Sequence, residues 1–136
     1  MPRYLLDTNA CSHVIKGTHG QVRAHLHRIS PSQVSISTIT QAELLFGIAK
    51  KTDAEGLRAA VHGFLAYVQI EAWDAEAARC YGEMRADLES RGLPLGNMDM
   101  LIAAHALALD AVLVTSDRSF NNVKGLRVSD WAKLPR

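Results

Sequence analysis

Cysteine, aromatic residues and net charge are all scarce in this chain, and each scarcity closes a class of function. The only cysteines are Cys11 and Cys80. They lie in apparent helices far apart in sequence and form neither a CxxC pair nor a metal-ligand spacing. They read as reduced packing residues of a cytoplasmic protein. Aromatics make up 6% of the chain, too few to suggest a base-stacking platform. Net charge is +1 with histidine neutral, so any phosphate-binding surface must be a local patch. No apolar run approaches the roughly 20 residues that span a bilayer. The N-terminus enters a strand without a charged leader or a long apolar region, so neither a membrane role nor secretion is expected.

Catalytic signatures are missing as well. The six histidines are His13, His19, His25, His27, His62 and His105. None forms H-x-x-x-H or H-E-x-x-H, which argues against zinc. His105 lies in the apolar Ala104-His105-Ala106 and reads as a satisfied core residue. The chain carries no G-x-S-x-G, phosphate-binding G-x-x-x-x-G-K-[ST] or G-x-G-x-x-G. Serine hydrolase, NTPase and dinucleotide-binding roles are therefore disfavoured.

What is present is an ordinary globular balance. The 136 residues are 48% hydrophobic and 21% charged, enough for a single domain over residues 1–136 with its own core. Strand-like runs at Tyr4–Asp7, Val34–Ser37, Val68–Ala72, Ala111–Thr115 and Leu126–Val128 alternate with helical spacing. Helices are expected from Thr8 or Asn9 to Lys16, over Val22–Ile29, Thr40–Lys51 and Asp53–Tyr67, from Asp74 to about Arg91, and over Asp99–Leu109. This alternation predicts an α/β fold, an α/β/α sandwich with a mainly parallel central sheet flanked by helices.

Four acids fall beside these junctions. Asp7 closes the first strand, Glu43 lies early in the third helix, Asp99 stands in a first turn, and Asp117 follows the fourth strand. A parallel sheet would bring all four to the carboxyl ends of its strands, where such folds place their sites. Clustered carboxylates repel unless a cation neutralises them, and hard oxygen donors suit Mg²⁺ or Mn²⁺. Each acid alone has an ordinary explanation. Asp7 can cap a helix, Thr40 and Glu43 match a T-x-x-E capping box, Asp99 suits a helix dipole, and Ser116-Asp117-Arg118-Ser119 is good turn sequence. Lys50-Lys51 at a helix end and Arg85, Arg91 and Arg118 are compatible with either solvated ends or a phosphate-facing rim.

The stretches that hold the acids resemble those of PIN-domain proteins, specifically the VapC-type ribonuclease toxins. Leu5-Leu6-Asp7-Thr8-Asn9 resembles the family's opening, and Ser37 through Gly47, with Glu43 at its centre, its second motif. Arg91 through Ala106 is similar to the third, Val112 through Asp117 followed by Phe120 to the fourth, and Gly125 through Trp131 to the usual end. The likeness runs from end to end with order and spacing intact. It implies Asp7, Glu43, Asp99 and Asp117 as catalytic acids, with Asp7 and Asp99 as metal ligands and Thr8, Asn9 and Thr115 in support. Two departures stand out. Many relatives carry a further acid where this chain has Asn97 or Met98, and the fourth position is often Asn, so Asp117 is expected to contribute least.

The resemblance further implies a metal-dependent endoribonuclease toxin of a toxin–antitoxin pair. Mg²⁺, replaceable by Mn²⁺, would activate water for cleavage of structured RNA, tRNA or rRNA. The implied partners are an RNA substrate, a cognate antitoxin and a second copy in a homodimer, with operator DNA reached only through the antitoxin. Rival readings are a PIN-like binding module within a DNA-binding repressor and a phosphotransfer protein. A haloacid-dehalogenase-type phosphatase would want D-x-D where Asp7-Thr8-Asn9 stands, and a receiver's late-strand lysine is not evident.

Overall fold

The computed structural model describes residues 2–133; Met1 and residues 134–136 of the expected domain lie outside that range. In chain order the elements are β1 (Tyr4–Leu6), α1 (Thr8–Lys16), α2 (Gly20–His27), β2 (Val34–Ser37), α3 (Thr38–Ala49), α4 (Glu55–Tyr67), β3 (Gln69–Glu71), α5 (Ala75–Ser90), α6 (Asn97–Leu109), β4 (Val112–Val114) and β5 (Val128–Ser129). Short 3₁₀ turns occupy Pro31–Gln33 and Arg118–Asn122.

Every strand pairing is parallel, in the order β3-β2-β1-β4-β5. A parallel sheet needs crossovers, and helices on both faces bury its central strands on both sides. β1 shows this at residue level. Leu5 and Leu6 are both fully buried, but Leu5 packs with Ile102, Leu113 and Phe120, and Leu6 with Leu26, Ile36 and Val114. One layer holds α1, α2 and α4, the other α5 and α6. The expected α/β/α sandwich is therefore present, with a sheet that is wholly parallel. Among the described residues no helix is long and apolar enough to cross a membrane.

β2 explains its own Val-Ser-Ile-Ser alternation. Val34 and Ile36 join the first apolar layer. Ser35 donates to the Tyr4 carbonyl (3.1 Å), and Ser37 meets the His105 ring of α6 at 2.8 Å. Ser37 Oγ also accepts from the Ile39 amide, capping α3. The hydroxyl hydrogen is thus free to donate to His105 Nδ1. Burial pushes the His105 pKa down, as expected for a neutral core imidazole.

Several boundaries differ from the sequence-based expectation: α2 and α6 begin two residues earlier, at Gly20 and Asn97, and α4 two residues later, at Glu55. α1 is capped by Asp7, whose carboxylate accepts from the Ala10 amide at 2.8 Å, and not by Thr8 or Asn9. α3 starts at Thr38 under the Ser37 cap, so Thr40 and Glu43 form no capping box. Thr40 is instead fully buried. The last strand is Val128–Ser129, two residues later than Leu126–Val128 begins, because it pairs with Leu113 and Val114. Gly17, with φ of 71°, ends α1 in the left-handed region that favours glycine.

Candidate active site

The chain runs from β1 outward through β2 to β3, then returns to the other side of β1 as β4. This reversal opens a crevice at the carboxyl ends of β1 and β4. Asp7 stands directly after β1, with its amide bonded to the Val114 carbonyl at 3.1 Å. Thr115 and Asp117 follow β4. α6 returns to the same edge with Asp99 in its first turn, next to a close-approaching backbone at Gly96. A Cβ on Gly96 would stand 3.4 Å from Asp99 Oδ2.

Asp7 is only 4% exposed. Its pKa rises from the ordinary 3.8 to about 6, chiefly through burial, with further increments from the Asp99 and Asp117 charges. The Thr115 hydroxyl and the Ala10 amide pull the other way. Asp99, half-buried, is likewise raised by burial and by the Asp117 and Glu43 charges. Asp7 thus feels the charges of Asp99 and Asp117, and Asp99 those of Asp117 and Glu43.

Glu43 enters from the second turn of α3. Its Oε1 accepts the Thr8 hydroxyl at 2.6 Å, and Thr8 Oγ1 lies 3.4 Å from the Thr40 hydroxyl. Thr8 thus ties the start of α1 to α3. Thr115 also accepts from the Asp117 amide at 3.0 Å, and Asp117 Oδ1 accepts from Ser119 to start the 3₁₀ turn. Asn9 is different. Its side chain is exposed and makes no hydrogen bond to the acids among the described residues.

Sequence reasoning missed two positioning groups. Ser37 was legible only as a strand residue, although a serine just before an apolar helical run is also a cap signal. Trp73 donates its indole N–H to the Leu101 carbonyl (2.9 Å), and its amide donates to Thr38 Oγ1 (3.2 Å). It thereby locks α6, which carries Asp99, against the start of α3. No local pattern marks that role.

A divalent cation fits this donor set. The donors are carboxylates without nitrogen or sulfur partners, and their mutual repulsion is what an added positive charge relieves. Among the described residues no three acidic, histidine or cysteine side chains form a ready-made cage.

Residues 4–126 match the sequence profile of the PIN domain family. The tRNA(fMet)-specific endonuclease VapC of Salmonella typhimurium is 36% identical over 132 residues, covering 96% of this chain and 99% of that protein. Ribonuclease VapC2 of Rickettsia felis is 35% identical, covering 96% and 98%. Among solved structures, DNA-bound VapBC from Salmonella typhimurium superposes with a TM-score of 0.85 at 36% identity, over 96% of this chain and 99% of that one. VapBC2 from Rickettsia felis, bound to a DNA fragment from the promoter, gives 0.86 at 34% identity, over 93% and 96%.

Proposed function

Because the chain belongs to the PIN domain family, in its VapC branch, we propose that it is the endoribonuclease toxin of a toxin–antitoxin pair, cutting structured RNA, tRNA or rRNA, to halt translation. The observation that carries this reading is Asp7. It stands buried at the end of β1, its carboxylate held by the Ala10 amide and within reach of the Asp99 and Asp117 charges, where a bound cation would offset the gathered negative charge.

Asp7 and Asp99 would hold Mg²⁺, for which Mn²⁺ can substitute. When bound, such an ion would acidify a water and offset the charge of the phosphate. The remaining work belongs to the side chains. The Thr115 hydroxyl and Ala10 amide hold the Asp7 carboxylate, and Thr8 holds Glu43, which would orient water. Asp117 completes the cluster from the exposed rim. No histidine base is required, in keeping with His105 bonded into the core.

Cleavage of bulk tRNA and rRNA by the purified chain tests the reading. Cleavage should vanish in EDTA and return with Mn²⁺; persistence in EDTA would exclude the metal mechanism. Asp117→Asn, which keeps one carbonyl oxygen, should recover at high Mn²⁺, and Asp99→Asn, which loses a direct anionic ligand, should not. The opposite ranking would reverse the two assignments.

The partner is an antitoxin, through which alone operator DNA is reached, and the toxin itself is a homodimer. Leu45 and Phe46 on α3 and Tyr67 on α4 are exposed and offer apolar area for these contacts. Light scattering that finds only monomer at micromolar concentration, with and without antitoxin, would count against both assemblies.

A further inference from the structure

The turn that opens with Asp117 is fixed by hydrogen bonds at its start. Thr115 Oγ1 accepts the Asp117 amide at 3.0 Å, and the neighbouring Ser116 hydroxyl donates to Asp130 at 2.7 Å. Phe120 and Val123 sink into the core. Such packing is non-directional, so it sets the depth of the turn and not its position along the sheet edge. At the far end a different element supplies the directional bond. Arg91, at the C-terminus of α5, donates to the Asn122 carbonyl at 2.7 Å. Its guanidinium is itself held by Asp87, one helical turn back: Nε donates to Oδ2 at 3.0 Å, and Nη2 donates to the same oxygen. Asp87 also takes Lys124, just past the turn, with Nζ 3.4 Å from Oδ1.

The same helix end launches the segment that delivers Asp99. Gly92, with φ of 65°, breaks α5 in the left-handed region, and the Leu93 amide returns to the Leu88 carbonyl at 3.0 Å. The chain then runs through Gly96 into α6, whose first turn holds Asp99. Arg91 therefore stands where the two acid-bearing segments are joined, and Asp99 feels the Asp117 charge across that junction. A partly exposed i,i+4 ion pair adds little to stability. A forked cation that joins a carboxylate to a main-chain carbonyl adds geometry instead.

We propose that Arg91 is a positioning residue: anchored on Asp87, it holds the end of the Asp117 turn against the end of α5, fixes Asp117 relative to Asp99, and so sets how tightly the acid cluster binds a divalent cation. This inference rests on the acid site of the ribonuclease reading and adds to it a strut outside the four acids.

The test measures Mn²⁺ binding to the full chain, without RNA, from the electron paramagnetic resonance signal of the free ion. Field and position predict opposite signs. Arg91→Gln removes a cation, and the field alone would tighten Mn²⁺ binding. Loss of the strut should instead weaken it, by about threefold or more. Arg91→Lys keeps the charge but cannot hold the carboxylate and the carbonyl together, so it should weaken binding to a similar degree. Asn122→Ala should leave binding unchanged, because the bond uses the main-chain carbonyl. In an Asp117→Asn background, Arg91→Gln should add no further loss, since the strut acts through Asp117. RNA cleavage by Arg91→Gln should recover at high Mn²⁺. Unchanged or tighter binding in either Arg91 variant, or a full additional loss in the Asp117→Asn background, would overturn the proposal. So would a wild-type chain that binds no Mn²⁺. A wild-type chain that binds Mn²⁺ but cuts no RNA would instead defeat the ribonuclease reading and leave the strut standing.

Discussion

At the scale of single residues, Asp7 sets function against stability. Its carboxyl loses its proton near 3.8 in the unfolded chain and only near 6 in the folded one. Between those values the folded state binds more protons, so stability is greatest below about 4 and falls as pH rises to about 6. A rise of about two units corresponds to roughly 3 kcal/mol at neutral pH, taken as an order of magnitude. Asp7→Asn removes the charge and retains an oxygen for the Ala10 amide. In metal-free protein this variant should be more stable than wild type at pH 7, by roughly 2–3 kcal/mol in urea denaturation, with the gap closing towards pH 4. It should have no nuclease activity. An Asn variant no more stable at pH 7 than at pH 4, relative to wild type, would show that Asp7 is not destabilised as described.

At the scale of elements, the site depends on how helices begin. Ser37 caps α3 through the Ile39 amide and satisfies His105 Nδ1 in the core. Ser37→Ala removes both interactions. A lost cap costs about 1 kcal/mol, and an orphaned buried ring nitrogen about 1–3 kcal/mol. The expected loss is therefore about 2–4 kcal/mol, read by denaturant titration, with Ser37→Thr restoring most of it. Near-wild-type stability of the Ala variant would mean that neither bond contributes. The same beginnings separate what could be read from sequence from what could not. Apolar runs located all five strands, and periodicity found all six helices, because burial on both sheet faces writes directly into composition. Caps were misplaced because Asp7, Thr8, Asn9, Ser37 and Thr40 are all competent cap types. The choice among them is made by tertiary partners: Glu43 takes Thr8, and the core takes Thr40. Asp7, Asp99 and Asp117 were legible as a cluster because a parallel sheet leaves little freedom over which end collects its loops. Asn9 was expected to support the acids on likeness alone, and its exposed side chain has no such contact. Trp73 had no local signature because its partner, Leu101, is distant in sequence and on another element.

At the scale of the whole molecule, the acid cluster couples the fold to its cation. β1, β4, α3 and α6 each deliver one carboxylate to a single edge, so the folded chain gathers negative charge that the unfolded chain disperses. Any ion that binds only the gathered form raises stability in proportion to RT ln(1 + [L]/Kd). Protons compete for the same oxygens, because Asp7 is half-protonated at about pH 6 and Asp99 is shifted in the same direction. The sign follows directly. At pH 7.5 the carboxylates are free to bind, and at pH 5 Asp7 is largely protonated, so Mn²⁺ must displace a proton. Millimolar Mn²⁺ should therefore raise the melting temperature by several degrees at pH 7.5 and by little at pH 5, as read by differential scanning fluorimetry without any RNA present. Asp99→Asn should abolish the pH 7.5 shift, whereas Lys50→Gln, outside the acid cluster, should preserve it. An equal Mn²⁺ shift at both pH values, or a full shift in Asp99→Asn, would place the cation away from Asp7 and Asp99 and uncouple the buried charge from metal binding.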